Sequence, residues 1–119
     1  MTEKLIELDI EHIGDITIVA IRSLRVPVDM SGSFEEQVVR VIEGLEAPKV
    51  VIDFDGVEFI SSAILGKLIK LSGRVVTDRQ GHLTLCSLDE RIAEVFKITG
   101  LEKLFSIHGT RSEAVAALR

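Results

Sequence analysis

Val50-Val51-Ile52-Asp53-Phe54-Asp55-Gly56-Val57-Glu58-Phe59-Ile60-Ser61-Ser62-Ala63-Ile64-Leu65-Gly66-Lys67-Leu68 decides how this chain folds. Its opening is a short apolar run rich in β-branched residues, too short for a helix and typical of a buried strand. Asp55-Gly56 is a turn dipeptide. Beyond it Ile64, Leu65, Leu68, Ile69, Leu71 and Val75 recur at helical spacing, which predicts a helix buried on most sides. Ser61-Ser62 falls at the junction, where an N-cap hydroxyl belongs. The stretch reads as strand, turn and helix, with a pair of serines at the helix N-terminus.

Upstream, Leu5 to Ile10 alternates as an edge strand would, with Ile6, Leu8 and Ile10 on one face. Gly14-Asp15 makes a turn, and Ile16 to Ile21 is nearly all apolar, so the two runs pair as a hairpin with a central second strand. Arg22 to Met30 is irregular, and Pro27 forbids a regular helix there. Ser33-Phe34-Glu35-Glu36 reads as a capping box. It opens a helix whose inner face is Phe34, Val38, Val41, Ile42 and Leu45 and which Ala47-Pro48 ends. Lys49 to Phe54 is the next strand. The central helix is expected to reach about Arg79, with Gln80-Gly81 closing it.

Downstream, Leu83 to Cys86 is a strand, and Ser87-Leu88-Asp89-Glu90 is a second capping box before a helix with Ile92, Val95 and Phe96 inward. Gly100 stops that helix. Leu104 to Ile107 is the last strand, and Thr110-Arg111-Ser112-Glu113 is a third capping box, heading a short helix with Ala114, Val115 and Leu118. Strands and helices alternate from Val50 onward, which predicts an α/β fold: a mixed, mainly parallel sheet of about five strands covered by about four helices.

With 119 residues the chain makes one domain, residues 1–119, and 46% hydrophobic content provides a core. No apolar run approaches a membrane span, and Met1 to Asp9 contains no signal-peptide core, so the expected location is cytoplasmic. One cysteine, Cys86, excludes an internal disulfide and fits a reducing compartment. A net charge of −5, no Trp or Tyr and five Phe argue against a nucleic-acid surface.

Three predicted helices start with Ser/Thr-x-x-Glu, and the central one does not. With Ser61 as N-cap the third helical residue is Ile64, with Ser62 it is Leu65, and the first turn carries no acid. A positive helix end with free N–H groups suits an anion, such as a phosphate carried on Ser61 or Ser62. Two serines at a helix start are most often plain caps. A loop for free nucleotide would be glycine-rich, and only Gly56 and Gly66 flank the serines.

The stretch Asp53 to Leu68 resembles the central motif of STAS domains, the family of anti-sigma-factor antagonists and of the cytoplasmic tails of sulfate transporters. Antagonists commonly read Phe-Met-Asp-Ser-[Ser/Thr]-Gly-Leu-Gly at this junction; here it is Phe59-Ile60-Ser61-Ser62-Ala63-Ile64-Leu65-Gly66. Leu83 to Ser87, Val95 to Leu101 and Leu104-Phe105 are similar to the family's C-terminal half.

The resemblance implies a regulatory binding protein. A partner that is both serine kinase and anti-sigma factor would phosphorylate Ser62 (alternatively Ser61) and dock on Ser61, Ser62, Ala63, Ile64 and Leu65, with the Leu24 to Met30 loop alongside. Ser61 stands where the motif has Asp, Ala63 replaces Ser/Thr and Ile64 replaces Gly. These departures give more weight than in a typical antagonist to an alternative, a scaffold subunit of a transporter-associated or signalling assembly that is not phosphorylated.

Other chemistry is sparse. His12, His82 and His108 lack metal-ligand spacing, and Cys86 has no nearby partner. The nucleophile elbow of a serine hydrolase is absent, and Ser-Ser without a placed His is a poor nucleophile. Asp53 and Asp55 could hold a cation beside a phosphoserine, or be plain strand-end and turn acids. No enzyme, cofactor or metal is expected.

Overall fold

Ile16–Ile21 is buried along its whole length, and the sheet is built around it. In the computed structural model, which describes residues 3–119, this strand is β2 and pairs antiparallel with β1, Leu8–Ile13. On its other side it pairs parallel with β4, Lys49–Asp53. β6 (His82–Cys86) follows β4, and β7 (Ser106–His108) closes the sheet, both parallel, giving the order β1-β2-β4-β6-β7. The mixed, mainly parallel five-stranded α/β sheet is as the alternation predicts. A second, two-stranded ladder of β3 (Arg25–Val26) and β5 (Phe59–Ile60) was not anticipated. Two-residue strands are too short to show alternation.

Helices α1 (Ser31–Ile42), α2 (Ser62–Ser72) and α3 (Glu90–Thr99) cover one face. Their inward residues Phe34, Val38, Ile42, Ile64, Leu68, Leu71, Ile92 and Phe96 meet Val50, Ile52 and Leu85 in the main core. Helix α4 (Arg111–Leu118) covers the other face, burying Ala114 and Val115 on Ile16, Ile18, Val51 and Cys86. The alternation of β4 drives this division: Val50 and Ile52 point to one layer, Val51 and Asp53 to the other.

β1 begins at Leu8 and runs to Ile13, because the Gly14-Asp15 turn is a tight two-residue one with Ile13 opposite Ile16. Ile6 is buried, but it lies ahead of the strand. Met1 and Thr2 lie outside the described residues. Helix α1 starts at Ser31, not after Ser33, since a 3₁₀ turn at Val28–Met30 leads straight into it. The Ser33 hydroxyl instead accepts from the Ile6 N–H (3.2 Å) and the Gln37 amide (2.9 Å). Helix α1 also ends early, leaving Leu45 exposed in the turn.

Helix α2 is buried on one side only: Leu65 is half-buried and Ile69 is exposed. It continues through a π-helical turn, Gly73–Asp78, so the helical path does reach Arg79. Gly81 then passes so close to Pro48 that a Cβ would strike the Pro48 carbonyl. Ser87 adopts a left-handed conformation (φ 61°), and Asp89, not Ser87, caps α3 by accepting from Arg91 N–H at 2.9 Å. Val95 faces solvent. Leu104 is exposed after a 3₁₀ turn, and β7 starts only at Ser106. Phe105 has first to turn in under α3, edge-on to Phe96 with ring centroids 5.9 Å apart. Gly100 (φ 77°) ends α3 and Thr110 caps α4 as expected.

Candidate functional site

Strand β4 carries the chain to the C-terminal edge of the sheet, where Asp55-Gly56 turns it; Gly56 has φ 84°, a conformation side chains disfavour. The chain then pairs with β3 and enters α2 at Ser61. This backbone is held tightly: Glu58 N–H donates to Leu24 C=O (2.8 Å), Ser61 N–H to Val26 C=O (3.0 Å) and Ile64 N–H to Ser61 C=O (3.1 Å). The Leu24 to Met30 segment therefore lies beside the helix start.

Ser61 is the N-cap by backbone geometry (φ −78°, ψ 163°), yet its hydroxyl makes no capping bond. That hydroxyl is buried and, among the described residues, has no hydrogen-bond partner. Ser62 is the first helical residue and its side chain is exposed. The first turn holds no acid, and among the described residues the N–H groups of Ser62 and Ala63 have no backbone acceptor. The positive end of the helix thus opens beside the Ser62 hydroxyl. Ala63 and Leu65 are half-buried, whereas Ile64 has no exposed surface and points into the core with Leu68. The surface at this turn is formed by Ser61, Ser62, Ala63 and Leu65; Ile64 offers no side chain to it, because the inward stripe of α2 passes through that position.

A groove of about 250 Å³ runs from Leu65 between β5 and α3, lined by Arg25, Phe59, Ile60, Arg91 and Val95. The Arg25 guanidinium lies 4.5 Å from the centre of the Phe59 ring. Arg91 is ion-paired with Asp89 at 3.2 Å and exposed. Sequence reasoning missed this groove, since its walls come from three separate segments. Val95, read from the sequence as inward, lies on the outer side of α3 and lines the groove.

Helix α2 is anchored to α1 by Glu35. One of its oxygens accepts from Lys67 Nζ at 2.8 Å, and the other lies 3.4 Å from Lys70 Nζ. The Lys67 hydrogen bond, aided by the charges of both lysines, holds the Glu35 carboxyl below the usual range despite its burial.

Asp53 is buried and fully engaged. It accepts from Asp55 N–H (3.0 Å) and from Arg111 Nε (2.8 Å), and Arg111 Nη1 reaches Glu11 at 2.7 Å. The reading of Asp53 as half of a cation site gives way to this ion pair. Hydrogen bonding to Asp53 makes Arg111 a still weaker acid. Cys86 lies beside Asp53; burial, then the Asp53 charge, pushes its thiol up to about 11, so no thiolate nucleophile forms near neutral pH. His12 contacts Thr17 (3.3 Å) and His108 contacts Ser106 (3.2 Å). Among the described residues no three His, Cys, Asp or Glu side chains are arranged to hold a metal ion. No helix among them is long and apolar enough to cross a membrane.

Comparison with known proteins gives a consistent result. The family model of the STAS domain matches residues 7–114. A protein of Bordetella bronchiseptica, provisionally named anti-sigma factor antagonist BtrV, is 35% identical over 71 residues, 60% of this chain and 60% of that protein. Among solved structures, an anti-sigma-factor antagonist (STAS) domain protein from Planctomyces limnophilus superposes with a TM-score of 0.85 at 24% identity, covering 100% of this chain and 99% of that one. The Bacillus cell fate determinant SpoIIAA in its phosphorylated form superposes with a TM-score of 0.71 at 16% identity, covering 95% of this chain and 100% of that one. At these identities the two structures establish a shared fold.

Proposed function

The chain belongs to the STAS domain family, and on that premise we propose that it is an anti-sigma factor antagonist-like regulatory binding protein, switched by phosphorylation of Ser62. Its partner would be a protein that is both serine kinase and anti-sigma factor. The observation that carries this reading is the exposed Ser62 hydroxyl at an acid-free helix N-terminus whose first N–H groups lack backbone acceptors. A phosphoryl group there adds about −1.5 to −2 charges. The helix end stabilises that charge within the chain, while the same charge disrupts an interface built over the turn. The buried Ser61 hydroxyl is out of a kinase's reach in this conformation, which favours Ser62 over Ser61. The docking surface is Ser61, Ser62, Ala63 and Leu65, continued along the groove between Arg25–Phe59 and Arg91. No catalysis by this chain is part of the reading.

The test is calorimetric titration with the cognate kinase. Ser62→Ala should bind as the wild type does, and Ser62→Asp should bind at least about tenfold more weakly, about 1.4 kcal/mol. Equal affinity of the two variants overturns the switch. The absence of Asp at position 61, where antagonists carry one, favours a second reading: an unphosphorylated scaffold subunit using the same surface. Intact mass of the protein from its native host separates the two. Phosphate on the peptide spanning Ser62 supports the switch, and none under any growth condition supports the scaffold.

A further inference from the structure

We propose that β1 is a homodimerisation edge, through which two copies of this chain join their sheets about a two-fold axis. β1 is the outermost strand, and among the described residues nothing pairs with its outer side. The tight turn that pairs Ile13 with Ile16, and the bond from Arg22 N–H to Glu7 C=O (3.0 Å), fix which residues bond inward to β2. These are Glu7, Asp9, Glu11 and Ile13. Leu8, Ile10 and His12 therefore turn their N–H and C=O groups outward, six backbone groups in all with no ladder partner.

The spacing is self-complementary. With the axis at Ile10, Ile10 faces Ile10 of the second copy and Leu8 faces its His12, so all six groups on each side pair. The side chains agree: Ile10, an exposed β-branched residue between Asp9 and Glu11, meets its own counterpart. Edge strands are normally guarded by charge, and here Asp9 and Glu11 supply it. Both are already compensated within the chain, Asp9 by Arg22 Nε at 3.3 Å and Glu11 by Arg111 Nη1 at 2.7 Å. In the two-fold register Asp9 lies opposite Glu11 of the second copy. Four edge carboxylates then meet four guanidinium groups, but the two Arg111 groups are shared with the buried Asp53, so the guard is largely, not wholly, compensated where the copies meet. The contact is isologous and closes at two copies, producing one continuous ten-stranded sheet. It lies on the opposite edge of the sheet from β7 and leaves the Ser62 turn free, so it does not depend on the phosphorylation reading.

Sedimentation equilibrium over a range of concentrations tests it. The expected result is a mass rising from 13.1 kDa towards twice that value as concentration increases. In step with it, hydrogen exchange at the Leu8, Ile10 and His12 amides should slow. Ile10→Lys adds charge at the axis, and Ile10→Pro removes an outward N–H that the intramolecular ladder does not use. Both should remain monomeric, with far-ultraviolet circular dichroism verifying the fold. A wild type that stays at 13.1 kDa throughout overturns the proposal. So does a dimer that survives both substitutions, which would place the contact on another face.

Discussion

Ser61 and Thr110 occupy the same position, the residue before a helix, and do opposite things there. Thr110 Oγ1 accepts from Glu113 N–H at 3.1 Å, whereas the Ser61 hydroxyl accepts nothing and is buried. Thr110→Ala should therefore lower stability by about 1 kcal/mol, the usual value of a lost N-cap. Ser61→Ala should stay within about 0.5 kcal/mol of wild type, because no bond is broken. Urea unfolding of the two variants checks this, and a loss at Ser61 as large as at Thr110 would mean that its hydroxyl has a partner in solution. The sequence places both residues correctly as helix starters and cannot distinguish them. The difference lies in Val26, whose carbonyl takes the Ser61 N–H and fixes the backbone from a distant segment. Ile64 carries the same lesson. Its neighbours mark the site, but the periodicity that buries Leu68 and Leu71 also buries Ile64.

Among elements, the strands and the inward stripes of the helices were legible because they repeat with periods of two and 3.6 residues. Helix starts were less so. The Ser/Thr-x-x-Glu pattern heads three predicted helices and forms the expected hydroxyl cap once, at Thr110. At the other two, the incoming 3₁₀ turn and the left-handed Ser87 move the start of the helix. The β3–β5 ladder and the groove beside it are pairings between distant segments, which no local pattern records. The contact between α1 and α2 lends itself to a pH experiment. Glu35 titrates below its ordinary value in the folded chain, so its contribution is present above the unfolded Glu range and is lost as pH falls through the folded value. Glu35→Gln should destabilise by about 1–2 kcal/mol at about pH 7, and the gap should narrow when pH is lowered below the ordinary Glu range of about 4.3. Chemical denaturation above and below that range measures it; a gap independent of pH would mean that charge is not its source.

For the whole molecule, the decisive tie is Arg111, which joins the N-terminus of α4 to Asp53 at the end of β4 and to Glu11 on β1. Asp53 is almost wholly buried, and without the guanidinium its carboxylate keeps only the Asp55 N–H. Arg111→Ala should lower unfolding free energy by about 2–3 kcal/mol. In the background of Asp53→Asn the same change should have much less effect, a coupling of about 1 kcal/mol or more. Additive losses in a double-mutant cycle would assign the effect to packing of the Arg111 side chain instead.

That tie also orders events in time. On a ribosome β4 emerges long before α4, so Asp53 and the apolar back of the sheet around Ile18, Val51 and Cys86 wait uncovered. The β1–β2 hairpin needs only neighbouring residues and can form at once, whereas the parallel ladders must each await a later strand. Arg111 and the helix it heads arrive after every strand of the sheet, neutralising the charge and sealing the layer in one step. A nascent chain stalled before Arg111 carries an unpaired carboxylate beside an open hydrophobic sheet, the kind of surface that chaperones and proteases recognise.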